Sequence, residues 1–229
     1  MTKQELQKMF DCAVHVGHRT HKWDPRMKKF IHGEQNGVHI INLEKTADYL
    51  AKALNFLAKI VSEGKTVLLV STKPQSVRVL EAAAKECGMP YVVTKWIPGL
   101  LTNFGTIKTR IKYLADLKEE DAVGEFSKYT KKEASKFKKE IDKLQISLGG
   151  VQNMKSLPDV VFVVDVVRDE IVVKEAKKLN IPVVGIVDTN ADPSTVDYPI
   201  PGNDDALKSL EYFIGEIVQT LKKPSKTSI

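Results

Sequence analysis

The chain has 229 residues, 42% of them hydrophobic, with a formal net charge of +6 and a pI near 9.1. That apolar content excludes a disordered chain, two distant cysteines, Cys12 and Cys87, exclude a disulfide scaffold, and no stretch approaches the ~18–20 apolar residues of a membrane span. The N-terminal residues carry no apolar signal core, so the expectation is a reduced, cytosolic protein that acts where it is made.

Leu6, Met9, Phe10 and Ala13 predict a helix over Gln4 to Val14, with Thr2 as its cap. A cationic loop follows. KFIH and VHIIN then flank GEQNG, a hairpin signal with Asn36-Gly37 at the turn. Glu44 to Ser62 reads as an amphipathic helix closed by Gly64, with Leu50, Leu54, Leu57 and Val61 on its stripe. A regular alternation begins at the strand Thr66 to Ser71. It continues through a helix (Gln75 to Cys87), a strand (Tyr91 to Thr94), a strand (Asp159 to Asp165) and a helix (Glu170 to Leu179). A strand (Pro182 to Asp188), an extended piece near Tyr198 and a last helix (Asp204 to Leu221) complete it. Continuous Val/Ile runs separated by helices predict a doubly wound α/β fold, a parallel sheet covered on both faces.

The alternation is interrupted over Gly105 to Leu148. Ile107, Ile111, Leu114 and Leu117 form one apolar stripe; Phe137, Ile141, Leu144 and Leu148 form another. Two amphipathic helices turning near Gly124 predict an inserted antiparallel coiled-coil hairpin standing off the core. The expected organisation is therefore a core of residues 1–104 and 149–222, a helical insertion of 105–148 and a disordered tail of 223–229.

The stretch from His15 to Thr46 holds all five histidines and one of the two tryptophans. Arg19, Lys22, Arg26, Lys28 and Lys29 stand among His18, His21 and Trp23. Guanidinium forks match phosphate oxygens, and rings offer faces to unstacked bases, so this loop is the first candidate for RNA binding. The expectation is that the cations meet phosphate, that His18 or His21 lies close by, and that Trp23 packs at least partly on the core. A solvated cationic loop around a buried Trp23 is the plainer alternative. Thr102, Asn103, Thr106, Lys108 and Arg110, at the root of the helical insertion, repeat the pairing of small polar groups with cations. If the insertion docks on RNA, Lys131, Lys132 and Lys136 are its candidates, although a solvated charged face explains them equally.

Other chemistry finds less support. The turn STKPQS after the first parallel strand has no glycine, so neither a dinucleotide fingerprint nor a phosphate loop is present and no nucleotide cofactor is expected. Asp165, Asp169 and Asp188 lie near strand ends, where they could hold Mg²⁺ for chemistry on a phosphorylated substrate, or merely cap helices and turns. No lysine, nucleophile or phosphate loop is recognisable beside them. Cys12, His15, His18 and His21 recur every third residue with ligand types suited to Zn²⁺. The reading adopted has no catalytic residue, no cofactor and no small-molecule substrate; a structural Mg²⁺ or Zn²⁺ is the alternative.

HVGHRTHKWDPRMKKFIHGEQNGVHIINLEKT resembles the N-terminal signature of the bacterial small-subunit ribosomal protein family numbered two. LLTNFGTIKTRI is similar to the segment opening that family's helical arm. The run from SLGGVQNMKSLPDVVFVVD to PIPGNDDA resembles its second signature and C-terminal half. Pro98 departs from a glycine in the family pattern. The resemblance implies a flavodoxin-like core with a coiled-coil insertion and no enzymatic activity. It also implies binding to small-subunit ribosomal RNA at the head–body junction, in the cytoplasm and on the ribosome. The implied partners are neighbouring small-subunit proteins, including the large RNA-binding protein numbered one in many bacteria.

Overall fold

The computed structural model describes residues 3–222. The Thr2 cap and the tail 223–229 lie outside the described residues. The chain opens with helix α1 (Lys3–Asp11). It ends earlier than its apolar spacing suggests, because Ala13 takes a left-handed backbone (φ 58°) and turns Val14 into the core. Three short strands follow, β1 (Val16–Arg19), β2 (Ile31–Gln35) and β3 (Val38–Ile41), in an antiparallel sheet of order β1-β3-β2. The expected β2–β3 hairpin is present. Asn36 (φ 53°) and Gly37 (φ 74°) supply the two left-handed positions that a two-residue turn needs. The pairing of β1 with β3 has no alternating apolar pattern behind it and was not expected. Helix α2 (Leu43–Ser62) starts at Asn42, whose side-chain oxygen accepts from the N–H groups of Glu44 and Lys45.

The five aliphatic runs form one parallel sheet: β4 (Val67–Val70), β5 (Tyr91–Val92), β6 (Val160–Val163), β7 (Val183–Val187) and β8 (Tyr198–Pro201). Its order is β5-β4-β6-β7-β8, the flavodoxin-like arrangement in which the chain reverses direction beside the first core strand. β8 carries Pro199 and Pro201, tolerable because it is an edge strand. All four side chains of β4 and of β6 are buried, each contributing roughly 1.5–3 kcal/mol. Alternate residues serve opposite faces. Val67, Leu69, Val160 and Phe162 pack with α2 and with α3 (Val77–Cys87) and α7 (Leu207–Lys222). Leu68, Val70, Val161 and Val163 pack with α6 (Glu170–Lys178) and with Met27, Phe30 and Trp96. Helix α7 begins three residues later than its pattern suggests. Asn203 Oδ1 accepts from the N–H groups of Asp205 and Ala206, which ties these residues into a turn.

The interruption consists of α4 (Phe104–Ala122) and α5 (Lys131–Leu148). Ile107, Leu114 and Leu148 are buried in the sheet's second cluster, with Ile111, Ile141 and Leu144 packed against it. Farther out, Phe126 stacks on Phe137 with centroids 5.1 Å apart, and Lys138 lies 3.8 Å from Asp121. Thr130 and Glu133 form a reciprocal capping box at the start of α5. The chain re-enters the core through Gly150, where a Cβ would lie 2.2 Å from the carbonyl oxygen of Tyr91. No helix among the described residues is long and apolar enough to cross a membrane.

The root of α4 is held by one carboxylate. Glu175 is 8% exposed and accepts from Trp96 Nε1 (3.0 Å), from the backbone N–H groups of Gly99 (2.7 Å), Leu101 and Thr102, and from the Thr102 hydroxyl. Burial alone would raise its pKa, but these donors, Gly99 foremost, hold it below the ordinary carboxylate value. Its contribution is therefore full at neutral pH and is lost as pH falls through that lowered value. Glu175→Ala should cost about 3 kcal/mol at pH 7, because buried N–H groups lose their acceptor. The cost should shrink in acid. Urea titrations followed by tryptophan fluorescence at both pH values would measure it, and an unchanged midpoint at pH 7 would refute the assignment.

Candidate nucleic-acid interface

The cationic segment is built on two buried side chains and one foreign loop. Met27 and Phe30 are fully buried on the 3-10 turn Pro25–Phe30, whose entry is capped by Asp24. Trp23, expected to pack at least partly on the core, is half-buried and lies tilted against His39, centroids 5.1 Å apart. The segment is fastened to the loop after β7. Asp24 N donates to the Thr189 carbonyl (2.8 Å), and His18 N donates to Thr189 Oγ1 (2.8 Å). Gly17 permits this approach, since a Cβ there would lie 2.6 Å from Thr189 Cγ2.

The cations divide into two kinds. Arg19, Lys22, Lys28 and Lys29 are exposed, and none has a carboxylate partner among the described residues. Lys29 rests its ammonium 4.8 Å from the Phe30 ring centroid. Arg26, expected to be of the same kind, is different. Its guanidinium joins Asp24 (2.6 Å) and Asp192, so it braces the segment. His21 is exposed. His15 stacks on Phe10, centroids 4.3 Å apart. Cys12, His15 and His21 do not join His18 in a ligand cluster, because β1 and the turns around it carry the four side chains to different surroundings.

His18 instead reaches the carboxyl ends of the parallel strands. Its Nδ1 lies 3.1 Å from Asp188 Oδ2 and its Nε2 3.4 Å from Asp205 Oδ2. The Asp188 carboxylate raises the His18 pKa above its ordinary value. Lys73 Nζ sits 2.6 Å from Asp205, 2.8 Å from Asp204 and 3.2 Å from Asp165. The glycine-free turn thus does deliver a lysine to these aspartates, which sequence reasoning missed. Burial pushes Asp204 up to about 7, with help from Asp188 and Asp165 and against the pull of Lys73. Burial opposes the charge on Lys73, but Asp204 and its neighbours outweigh it and raise its pKa.

These groups line a cavity of about 390 Å³ at the point where strand order reverses. Its lining mixes the carboxylates of Asp165, Asp204 and Asp205 with Lys73, Arg168 and His18. His18, Asp188, Asp204 and Asp205 bring one ligand atom each within 4.8 Å of one another, a spacing that could hold a divalent cation. The other carboxylate oxygens have local duties. Asp165 accepts from the N–H groups of Val167 and Arg168, and Asp169 from Thr72 N and Oγ1. The Asp165 contacts are the turn contacts weighed as the alternative to an Mg²⁺ site, whereas Asp169 makes no cap bond and instead ties the turn after β4 to the start of α6.

At the root of α4, the Thr102 hydroxyl is spent on Glu175, and Thr106 Oγ1 donates to Asn103 Oδ1 (2.9 Å). Lys108 lies over the Phe104 ring, and Arg110 is exposed. Lys131, Lys132 and Lys136 are exposed on the first turns of α5. Met27 and Phe30 share one cluster with Trp96, Leu100 and Ile107. The cationic segment and the root of α4 are therefore anchored on the same face of the sheet.

A model of the family described as Ribosomal protein S2 matches residues 9–223. The chain is 46% identical over 218 residues to the small ribosomal subunit protein uS2 of Campylobacter concisus, covering 95% of this chain and 83% of the relative. It is 45% identical over 216 residues to that of Nitratiruptor sp., covering 94% and 81%. It is 43% identical over 221 residues to that of Dehalococcoides mccartyi, covering 96% and 90%.

Removing the one ammonium from the aspartate cluster should expose its charge balance. Lys73→Met should cost about 3–5 kcal/mol near pH 8, because buried carboxylates lose their cation. Asp204 already binds its proton more tightly folded than unfolded. In the variant that difference should widen, so stability should recover as pH falls towards 5. Urea midpoints of both proteins across this range are the check, and a cost independent of pH would contradict the electrostatic account.

Proposed function

The chain belongs to the ribosomal protein S2 family, and from that premise we propose that it is a structural, non-enzymatic component of the small ribosomal subunit that binds its RNA. The observation that carries the RNA-binding surface is the set Arg19, Lys22 and Lys28: exposed cations without carboxylate partners, on a segment already fixed by Met27, Phe30 and Thr189. Fixed cations lose little conformational entropy on meeting phosphate. Phosphate contacts position a protein without reading sequence, which suits a particle component. His18 belongs to the scaffold of this surface, as does Arg26, while His21 and Lys29 stand with the cations.

Asn103, Thr106, Lys108 and Arg110 extend the surface to the root of the inserted helices, and Lys131, Lys132 and Lys136 carry it along α5. In this reading, residues 105–148 act as an arm and the remaining described residues as the core. The place on the subunit is the head–body junction, in the cytoplasm. The neighbours are other small-subunit proteins, among them the large RNA-binding protein numbered one. No cofactor is required. Phosphoryl chemistry around Asp165, Asp169 and Asp188 fits poorly, because turn N–H groups, Thr72, Thr189 and Lys73 already engage these carboxylates.

Arg19→Ala with Lys22→Ala should weaken incorporation into small subunits and lower its salt sensitivity, since fewer counterions are released. Arg26→Ala should instead lower the stability of the free protein. Incorporation at two ionic strengths, beside thermal melts, separates the two effects. Unchanged incorporation and salt dependence in the double variant would overturn the assignment of this segment.

A further inference from the structure

At the amino-terminal end of the parallel sheet, a groove of about 800 Å³ lies between α2 and the edge strand β8; at Tyr49 it meets Phe30 of the cationic segment edge-on, centroids 4.9 Å apart. Its floor is aromatic. Phe56 and Tyr198 are stacked, centroids 4.1 Å apart and planes within 13°, and both are half-buried, as is Tyr49 beside them. Edge-strand and helix-surface aromatics left half-exposed form a platform on which another flat ring can stack.

The charges around this platform are not balanced. Lys52 and Lys59 are exposed on the same side of α2, and neither has a carboxylate partner among the described residues. Lys52 holds its ammonium 4.9 Å from the Tyr49 ring centroid, so it stays over the aromatic floor. The two acids of the groove are already committed. Glu63 pairs with Lys65 at 2.6 Å, and Asp197 Oδ2 accepts from Val183 N at 2.8 Å. What remains available is an aromatic shelf, the ammonium of Lys52 over it, and that of Lys59 at its rim, which also faces Glu63.

We propose that this groove is a second RNA contact, which takes an unpaired nucleotide with its base on the Phe56–Tyr198 stack and its phosphates against Lys52 and Lys59. The proposal rests on the RNA-binding role given above and adds a surface and a ligand class to it. The cationic segment offers free charge and one stacked pair, Phe10 on His15; the groove adds a second stacked pair with an ammonium held beside it. Stacking with backbone neutralisation is how single strands are held without sequence preference. The groove continues from the cationic segment along α2, through the contact of Tyr49 with Phe30.

The full chain would be titrated with a fluorescein-labelled, short single-stranded oligoribonucleotide of adenine and cytosine, followed by anisotropy at about 50 and 200 mM salt. Lys52→Ala with Lys59→Ala should weaken binding roughly tenfold at the lower salt and reduce the salt slope by about 1.4, the value for two single-strand phosphate contacts. Phe56→Leu should weaken binding about fivefold and leave the slope unchanged, as loss of stacking requires. Thermal melts would confirm that each variant is folded. Ultraviolet cross-linking should place the oligonucleotide on the peptide containing Tyr198. Wild-type affinity and slope in the folded lysine variant, or a cross-link confined to residues 15–32, would overturn the proposal. So would displacement of the RNA by a polyglutamate peptide at equal concentration, which would mark the groove as a protein-docking surface. Sedimentation of the wild-type chain with small subunits, run in parallel, tests the ribosomal role by itself.

Discussion

The ammonium of Lys73 is the constraint on which the carboxyl edge of the sheet depends. Asp165 after β6, Asp188 after β7, and Asp204 and Asp205 before α7 arrive from three different loops. Without a cation, bringing those loops together would bury repelling charges at a cost of several kcal/mol. With Lys73 in place, the loops can close, and the aspartates left over can draw in His18. The imidazole ties β1 to the core, so the cationic segment inherits its position from a charge balance struck beneath it. The cationic segment and the acidic floor below it are thus one electrostatic construction, with the negative layer orienting the positive one.

Glu175 solves a different problem with the same kind of group. The turn before α4 must leave the sheet and launch a long pair of helices, and its backbone N–H groups would otherwise be buried without acceptors. One carboxylate collects three of them together with an indole and a hydroxyl. It belongs to α6, which packs on the sheet, so the orientation of the inserted helices is referred to the core rather than to the turn itself. The root of α4 is thus fixed by a buried hydrogen-bond hub together with Ile107, Leu114 and Leu148 in the sheet's second cluster.

Much of this was legible in the residues. The aliphatic runs gave the strands because a buried parallel strand has no alternation to hide, and Asn36-Gly37 gave its turn because few other pairs accept two left-handed positions. The exceptions share a cause: their partners lie far away in sequence. Arg26 looks like any loop cation until folding brings Asp192 to it, 166 positions on. VGHR becomes a strand only because β3 and Thr189 receive it. Lys73 had a usable signal, since several aspartates at strand ends require a counter-charge and STKPQS holds the one basic residue in the neighbouring turn. Glu175 had one too, standing among Val172, Val173 and Ala176 on the buried stripe of α6, where an acid needs a reason.

The fastening of β1 onto the loop after β7 sets the order of events during synthesis. His18 and Thr189 are separated by 171 positions, a contact that must wait for nearly the whole chain. At ~5–20 residues per second, roughly 10–30 s pass between translation of the first partner and the second. Throughout that interval the segment lacks the Thr189 and Asp192 contacts that fasten it in the finished fold. The segment made almost first is therefore among the last to reach its final frame, which waits for Thr189 and Asp192 in the C-terminal third.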